Sequence, residues 1–150
     1  MKREYLELTR LIERLHRRFL DVLRAELGRM GIKELNAVQA LLLSNIGDEE
    51  IAIRDLVERG YYQGSNVSYN IKKLTDMGYL EQERSQHDRR SVTVRLTSKA
   101  KDVVKRVHEL EDMNAENAAA GGITSESMDS ATETLRRIER MWAEHIRYGG

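Results

Sequence analysis

The chain has 150 residues, with 25 basic and 25 acidic side chains for a net charge of zero, and it contains no cysteine. That length suits one ordinary domain, the neutral sum argues against a globally basic polyanion binder, and the missing thiols exclude thiol redox sensing, disulfides and cysteine-ligated zinc or iron–sulfur centres. No apolar run reaches about 18 residues and charge appears within the first four positions, so neither a membrane span nor a signal peptide is expected and the cytosol is the simplest location. Proline is absent, and one Phe and one Trp leave the core to Leu, Ile, Val and Met, a composition that suits helices.

Tyr5, Leu8, Ile12, Leu15, Phe19, Val22 and Leu23 recur at spacings of three and four, with Arg, Glu and Lys between them. This predicts a long amphipathic helix ending near Gly28 or Gly31. In Leu35-Asn-Ala-Val-Gln39, Asn36 is placed as an N-cap with Gln39 three residues on, the pattern of a capping box. The helix it opens, about 37–44, is nearly all apolar and should be buried. Residues 47–50 read as a turn, 51–53 as a very short strand and 54–59 as a helix. Gly60-Tyr-Tyr-Gln-Gly64 then connects to the next element, and its Tyr61 and Tyr62 have no assigned role.

A polar helix is predicted from Ser65 to Met77, ended by Gly78. Helical spacing puts Val67, Ile71 and Leu74 on one face. Ser65, Tyr69, Lys72 and Asp76 project opposite, with Asn66, Ser68 and Lys73 on the flanks. Ser, Asn and Tyr can hydrogen-bond phosphates or base edges, Asn pairs naturally with adenine, and Lys72 and Lys73 suit phosphates. Any of Asn66, Ser68, Tyr69 and Asn70 is open as a base reader; a solvated helix face is the bland alternative.

Tyr79-Leu80 opens one arm of a hairpin, and Val92, Val94 and Leu96 alternate with Thr93 and Arg95 in the other, the period of a half-buried strand. Between them, Arg84-Ser-Gln-His-Asp-Arg-Arg90 holds three arginines and no apolar residue. From Arg84 to Arg106 there are eight basic residues (Arg84, Arg89, Arg90, Arg95, Lys99, Lys101, Lys105, Arg106) against two acids, Asp88 and Asp102. A local patch of this kind binds nucleic acid even when the total charge is neutral. A helix from Ser98 to about Ala118 should turn Val103, Val104, Val107, Leu110 and Met113 inward. Gly121-Gly122 breaks it, and a last helix, Ser125 to Tyr148, is expected to bury Leu135, Ile138, Met141, Trp142 and Ile146.

Two consecutive short helices followed by a hairpin make a winged helix-turn-helix, so the fold class is mainly α (α+β), with 65–77 as the helix offered to the major groove. The long terminal helices carry more apolar surface than so small a centre can cover, and a symmetric dimer would bury the excess. The expected organisation is one domain over 1–150. Within it, about 34–97 is a DNA-binding lobe, and about 1–30 with 98–148 forms a helical dimerisation lobe.

Asp88-Arg-Arg-Ser-Val-Thr-Val-Arg-Leu-Thr97 resembles the wing signature of the MarR family of dimeric bacterial transcription regulators, an Asp-x-Arg followed by alternating apolar residues and Leu-Thr. Leu35-Asn-x-x-Gln39 is similar to the start of that family's second helix, with Asn in place of the usual Thr. Ser65-Asn-Val-Ser-Tyr-Asn-Ile-Lys-Lys-Leu74 and Gly78-Tyr-Leu80 resemble its recognition helix and wing entry. The resemblance covers essentially the whole chain. Ala100 departs from the family's usual Gly, and Gln82 stands where a basic residue is common.

The resemblance implies a bacterial cytoplasmic regulator held at the nucleoid through double-stranded DNA with a palindromic operator. It is most simply a repressor, and a homodimer, released by a small-molecule effector. In the wing, Arg84, His87, Asp88, Arg89 and Arg90 would meet DNA. Arg90 would enter the minor groove, oriented by Asp88 through a charge-assisted pair; the bland reading is an exposed salt bridge worth roughly 0–1 kcal/mol. An effector pocket is implied between the first helix, the buried second helix and the helix after the wing, with His16 and Phe19 as contributors.

Other classes have little support. His16, His87, His108 and His145 show no ligand spacing, and no Ser/His/Asp or Gly-rich phosphate pattern occurs, so no metal, cofactor or catalytic residue is expected. The runner-up is a winged-helix module for protein–protein assembly with a merely solvated wing, which steep salt dependence of DNA binding would exclude. A third reading, a metal-dependent regulator, predicts a response to transition metals or chelators.

Overall fold

A computed structural model of the chain describes residues 1–58, 64–84 and 91–148. The apolar spacing at the N-terminus produces one long helix, α1 (Lys2–Arg29). Asn36 then caps α2 (Ala37–Ile46) as the sequence implies. Its side chain accepts from the Gln39 backbone N–H at 2.8 Å, and the Asn36 N–H donates to Gln39 Oε1 at 3.0 Å. β1 (Ile51–Ala52), α3 (Ile53–Glu58) and α4 (Gly64–Asp76) follow. β2 (Leu80–Arg84) and β3 (Val92–Leu96) form the hairpin, ahead of α5 (Ser98–Ala120) and α6 (Ser125–Tyr148).

The three strands pair antiparallel in the order β1-β3-β2. Leu80 faces Leu96 and Arg84 faces Val92, so the hairpin register is continuous across all five pairs. Ile51 pairs with Val94 and Ala52 with Thr93, which anchors the helix-turn-helix to the wing.

Two units divide the chain, Met1–Leu110 and Glu111–Gly150, with the boundary inside α5. The first holds the core. Leu23 and Leu27 from α1, Leu42 and Leu43 from α2, Val67, Ile71 and Leu74 from α4, and Val103, Val104 and Val107 from α5 are all buried in one cluster. Each fully buried aliphatic side chain of this kind contributes about 1.5–3 kcal/mol. The buried carboxylate of Glu26, 7 % exposed, accepts from Arg106 Nε at 2.7 Å and from Arg29 at 3.0 Å, joining α1 to α5.

In the second unit, Gly122 (φ +91°) ends α5 in a left-handed conformation that favours glycine, and Ile123 N–H donates back to the Ala118 carbonyl. Thr124 and Ser127 cap each other to start α6.

The apolar face predicted for α6 exists, but its burial does not: no α6 residue is buried. Leu135, Met141, Trp142 and Ile146 are exposed, Ile138 is half-buried, and Met113 on α5 is also exposed. The first two-thirds of α1 behaves likewise, with Leu15 and Phe19 exposed and burial beginning at Leu23. Among the described residues, no helix is long and apolar enough to cross a membrane.

Candidate nucleic-acid interface

α4 divides as its spacing predicts. Val67, Ile71 and Leu74 are at most 2 % exposed, while Asn66, Ser68, Tyr69, Lys72 and Lys73 are on the surface. Ser65 stands in its first turn. Lys73 Nζ lies 5.7 Å from the Tyr69 ring centroid, one helical turn away, an i,i+4 cation–π pair that holds both side chains on the outer face. Asn70 is half-buried, and its Oδ1 accepts from Gln39 Nε2 at 3.3 Å. It is therefore partly committed to α2, unlike its exposed neighbours.

The C-terminus of α4 is closed by a Schellman motif. Gly78 (φ +84°) takes the left-handed position, its N–H donates to the Thr75 carbonyl, and the Tyr79 N–H donates to the Leu74 carbonyl. Lys99 Nζ donates to the Met77 carbonyl at 3.1 Å, where a cation also complements the helix dipole. The same ammonium lies 4.4 Å from the centroid of the Tyr79 ring. Tyr79 is buried and donates its hydroxyl to Glu34 Oε1 at 2.6 Å. Burial first, then the Glu34 carboxylate, pushes the Tyr79 phenol far above its ordinary range. The tyrosine accordingly stays a neutral donor, and the bond draws Glu34 below the usual carboxylate range.

β2 is tied to α4 as well. Gln82 Nε2 donates to Thr75 Oγ1 at 2.9 Å. Gln82, noted in the sequence as a departure toward neutrality, thus braces the helix against the wing. Thr97 completes the joint: its hydroxyl donates to the Gly78 carbonyl at 2.7 Å, and its N–H donates to the Tyr79 carbonyl.

The basic stretch is thinner in space than in sequence. Arg95 is held by Glu81 at 2.7 Å and Glu50 at 3.3 Å, and Glu81 above all strengthens its hold on the proton. Arg106 serves Glu26 and Lys99 serves the α4 terminus. Their sequence partners lie far away or on another strand, which is why counting charges along the chain overstates the free ones. Arg84 is exposed at the end of β2. His87, Asp88, Arg89 and Arg90 lie outside the described residues, as do Tyr61 and Tyr62.

His16 and Phe19 stand on the exposed length of α1. Leu23 and Leu27 of α1, Leu43 of α2 and Val107 of α5, from the three helices between which the resemblance implies a pocket, belong to the buried core cluster. Among the described residues, no cluster of His, Asp or Glu is suited to a metal ion.

A family model described as a winged helix DNA-binding domain matches residues 35–100. The chain is 36 % identical over 145 residues to the exopolysaccharide II synthesis transcriptional activator ExpG of Rhizobium meliloti (strain 1021), covering 97 % of this chain and 75 % of that protein. Among solved structures it is similar to the transcriptional regulator SlyA, with a TM-score of 0.77, 17 % identity, and 95 % and 99 % of the two chains covered. A mutant MarR from E. coli complexed with operator DNA gives a TM-score of 0.71 at 18 % identity, over 90 % of this chain and 95 % of that one.

Proposed function

The chain belongs to the MarR family of winged-helix DNA-binding transcription regulators, and from that premise we propose that it acts as a homodimer on a palindromic operator, reading each half-site with α4 and flanking it with the wing. It is a regulator, not an enzyme. The observation that carries the reading is the outer face of α4. Asn66, Ser68, Tyr69, Lys72 and Lys73 form a polar, cationic surface on a helix fixed from α2 on one side and from β2 on the other. A helix held this rigidly has the preorganisation that base readout needs, and the flanking Arg84 supports a wing that meets phosphate. In this reading residues 34–97 are the DNA-binding lobe, and Arg89 and Arg90 carry the tip, with Asp88 orienting Arg90 and His87 beside it.

Support for the dimer comes from the exposed apolar stripes of α1 (Leu11, Leu15, Phe19, Val22) and α6 (Leu135, Met141, Trp142, Ile146). A second copy would cover each, and a two-fold axis would set the two α4 helices about one turn of DNA apart, roughly 34–36 Å, or a multiple of that. An effector would lodge against the α1 surface that carries His16 and Phe19, both exposed.

For the sign of regulation, the name of the R. meliloti relative supports activation over the repression expected from the resemblance. Selecting bound fragments from genomic DNA, then transcribing them in vitro with and without the protein, tests the reading. Enriched fragments whose transcript rises support an activator, and a falling transcript assigns a repressor. No enriched fragment refutes the proposal. Screening compounds for release of the bound fragment tests the effector.

A further inference from the structure

Gln39 is 4 % exposed and sits between two groups whose chemistry fixes it completely. The Asn36 backbone N–H can only donate, so the Gln39 atom 3.0 Å from it must be the carbonyl oxygen. The other end of the Gln39 amide is then its NH2, and the atom of Asn70 that it meets at 3.3 Å must be the oxygen. The capping box of α2 therefore sets the amide of Asn70: Oδ1 turned to α2, Nδ2 turned away. Asn70 lies four residues after Asn66 and three before Lys73, both exposed, on one continuous edge of the recognition helix.

We propose that Asn70 is a specificity-determining residue that reads DNA as a hydrogen-bond donor only, with Gln39 as the positioning residue that denies it the adenine contact. Asparagine recognises adenine by accepting from N6 and donating to N7 with the two ends of one amide. Here the accepting end faces α2 and is held there by Gln39, and turning it outward would take from the buried Gln39 NH2 the side-chain acceptor it has among the described residues, a loss the fold resists. What remains suits guanine, whose O6 and N7 are adjacent acceptors, or thymine O4; adenine offers N7 alone, beside an N6 donor that the outward NH2 cannot meet. This rests on the proposed reading of DNA by α4 and adds the base class to it.

The test compares motifs selected from a randomised duplex library by the full chain, by Gln39→Glu and by Asn70→Ala, with melting temperatures alongside. Glutamate is a normal residue at the third position of a capping box, so Gln39→Glu keeps the cap while removing the donor. Asn70 then turns its NH2 to the introduced carboxylate and presents oxygen outward. Gln39→Glu should move the preference at one position per half-site from guanine or thymine toward adenine or cytosine. Asn70→Ala should erase discrimination at that same position, on the order of tenfold, with the rest of the motif unchanged. If both variants select the unaltered motif, or only lose affinity uniformly as a phosphate contact would, the assignment of Asn70 is overturned. If the unaltered chain selects no motif, the DNA reading itself falls and takes the assignment with it.

Discussion

Gln82 donates from Nε2 to Thr75 Oγ1 across 2.9 Å, so the first wing strand and the recognition helix share a bond on the surface between them. Thr75 passes the connection inward by donating its hydroxyl to the Ile71 carbonyl at 2.7 Å. The bond is exposed and contributes only about 0.5–1.5 kcal/mol. Its role is orientation: it sets how β2 stands against α4.

Gln82→Lys should break that brace and place a cation on β2. The melting temperature should change little. The salt dependence of DNA binding should steepen by about one unit of slope if β2 approaches phosphate. Fluorescence anisotropy over a salt series reads this directly, and an unchanged slope would remove β2 from the interface.

Arg90→Ala should weaken operator binding by at least about tenfold, because an arginine in a narrow minor groove meets an enhanced negative potential. The dimer should persist, since the substitution leaves the apolar stripes of α1 and α6 unchanged. Titration at fixed salt checks the first outcome and sedimentation the second.

Glu26→Gln should lower stability by about 1–3 kcal/mol at neutral pH, because Arg106 and Arg29 lose a buried carboxylate. The Arg106 bond, the largest influence, holds Glu26 below the ordinary carboxylate range against the cost of burial. The unfolded chain therefore binds its proton more readily than the folded one. The contribution is full above the usual carboxylate range and fades as pH falls through the lowered folded value. Melting curves from neutral pH downward should show the gap between the two proteins closing in acid.

Leu15→Glu on α1 and Ile146→Glu on α6 touch exposed positions, at 55 % and 83 %, and should leave each protomer folded. Burying either carboxylate in a dimer interface is costly, so sedimentation should shift to the monomer and operator affinity should fall with it. Dimers of undiminished stability in both variants would move the interface elsewhere.

Most of the fold was legible because it is written in local patterns. The 3.6-residue spacing around Val67, Ile71 and Leu74 placed α4, the Asn36–Gln39 pair gave the α2 cap, and the alternation from Val92 to Leu96 gave β3 within a residue of its ends. Burial was legible only where the chain supplies its own partner. Val103, Val104 and Val107 went inward as expected, whereas Leu135, Met141, Trp142 and Ile146 show the same periodicity and remain exposed, because periodicity identifies an apolar face and not what covers it. Long-range polar bonds were invisible for a similar reason. Gln39 and Asn70 are 31 positions apart, and Arg106 and Glu26 are 80 apart, so nothing in either segment announces the other. The Arg95–Glu81 bond was hidden too, since the hairpin register must be known before it can be drawn, and the Gln82–Thr75 bond needs the packing of β2 on α4.

Specific operator binding by a dimer, through α4 and the wing, is open to one decisive test. The most direct measurement is a titration of the full chain against its best genomic fragment at several salt concentrations, beside a scrambled fragment of equal length. One dimer should bind per site, with a log–log salt slope of several units and binding to the scrambled fragment weaker by at least about a thousandfold. Equal affinity for both fragments, or an affinity indifferent to salt, would contradict it.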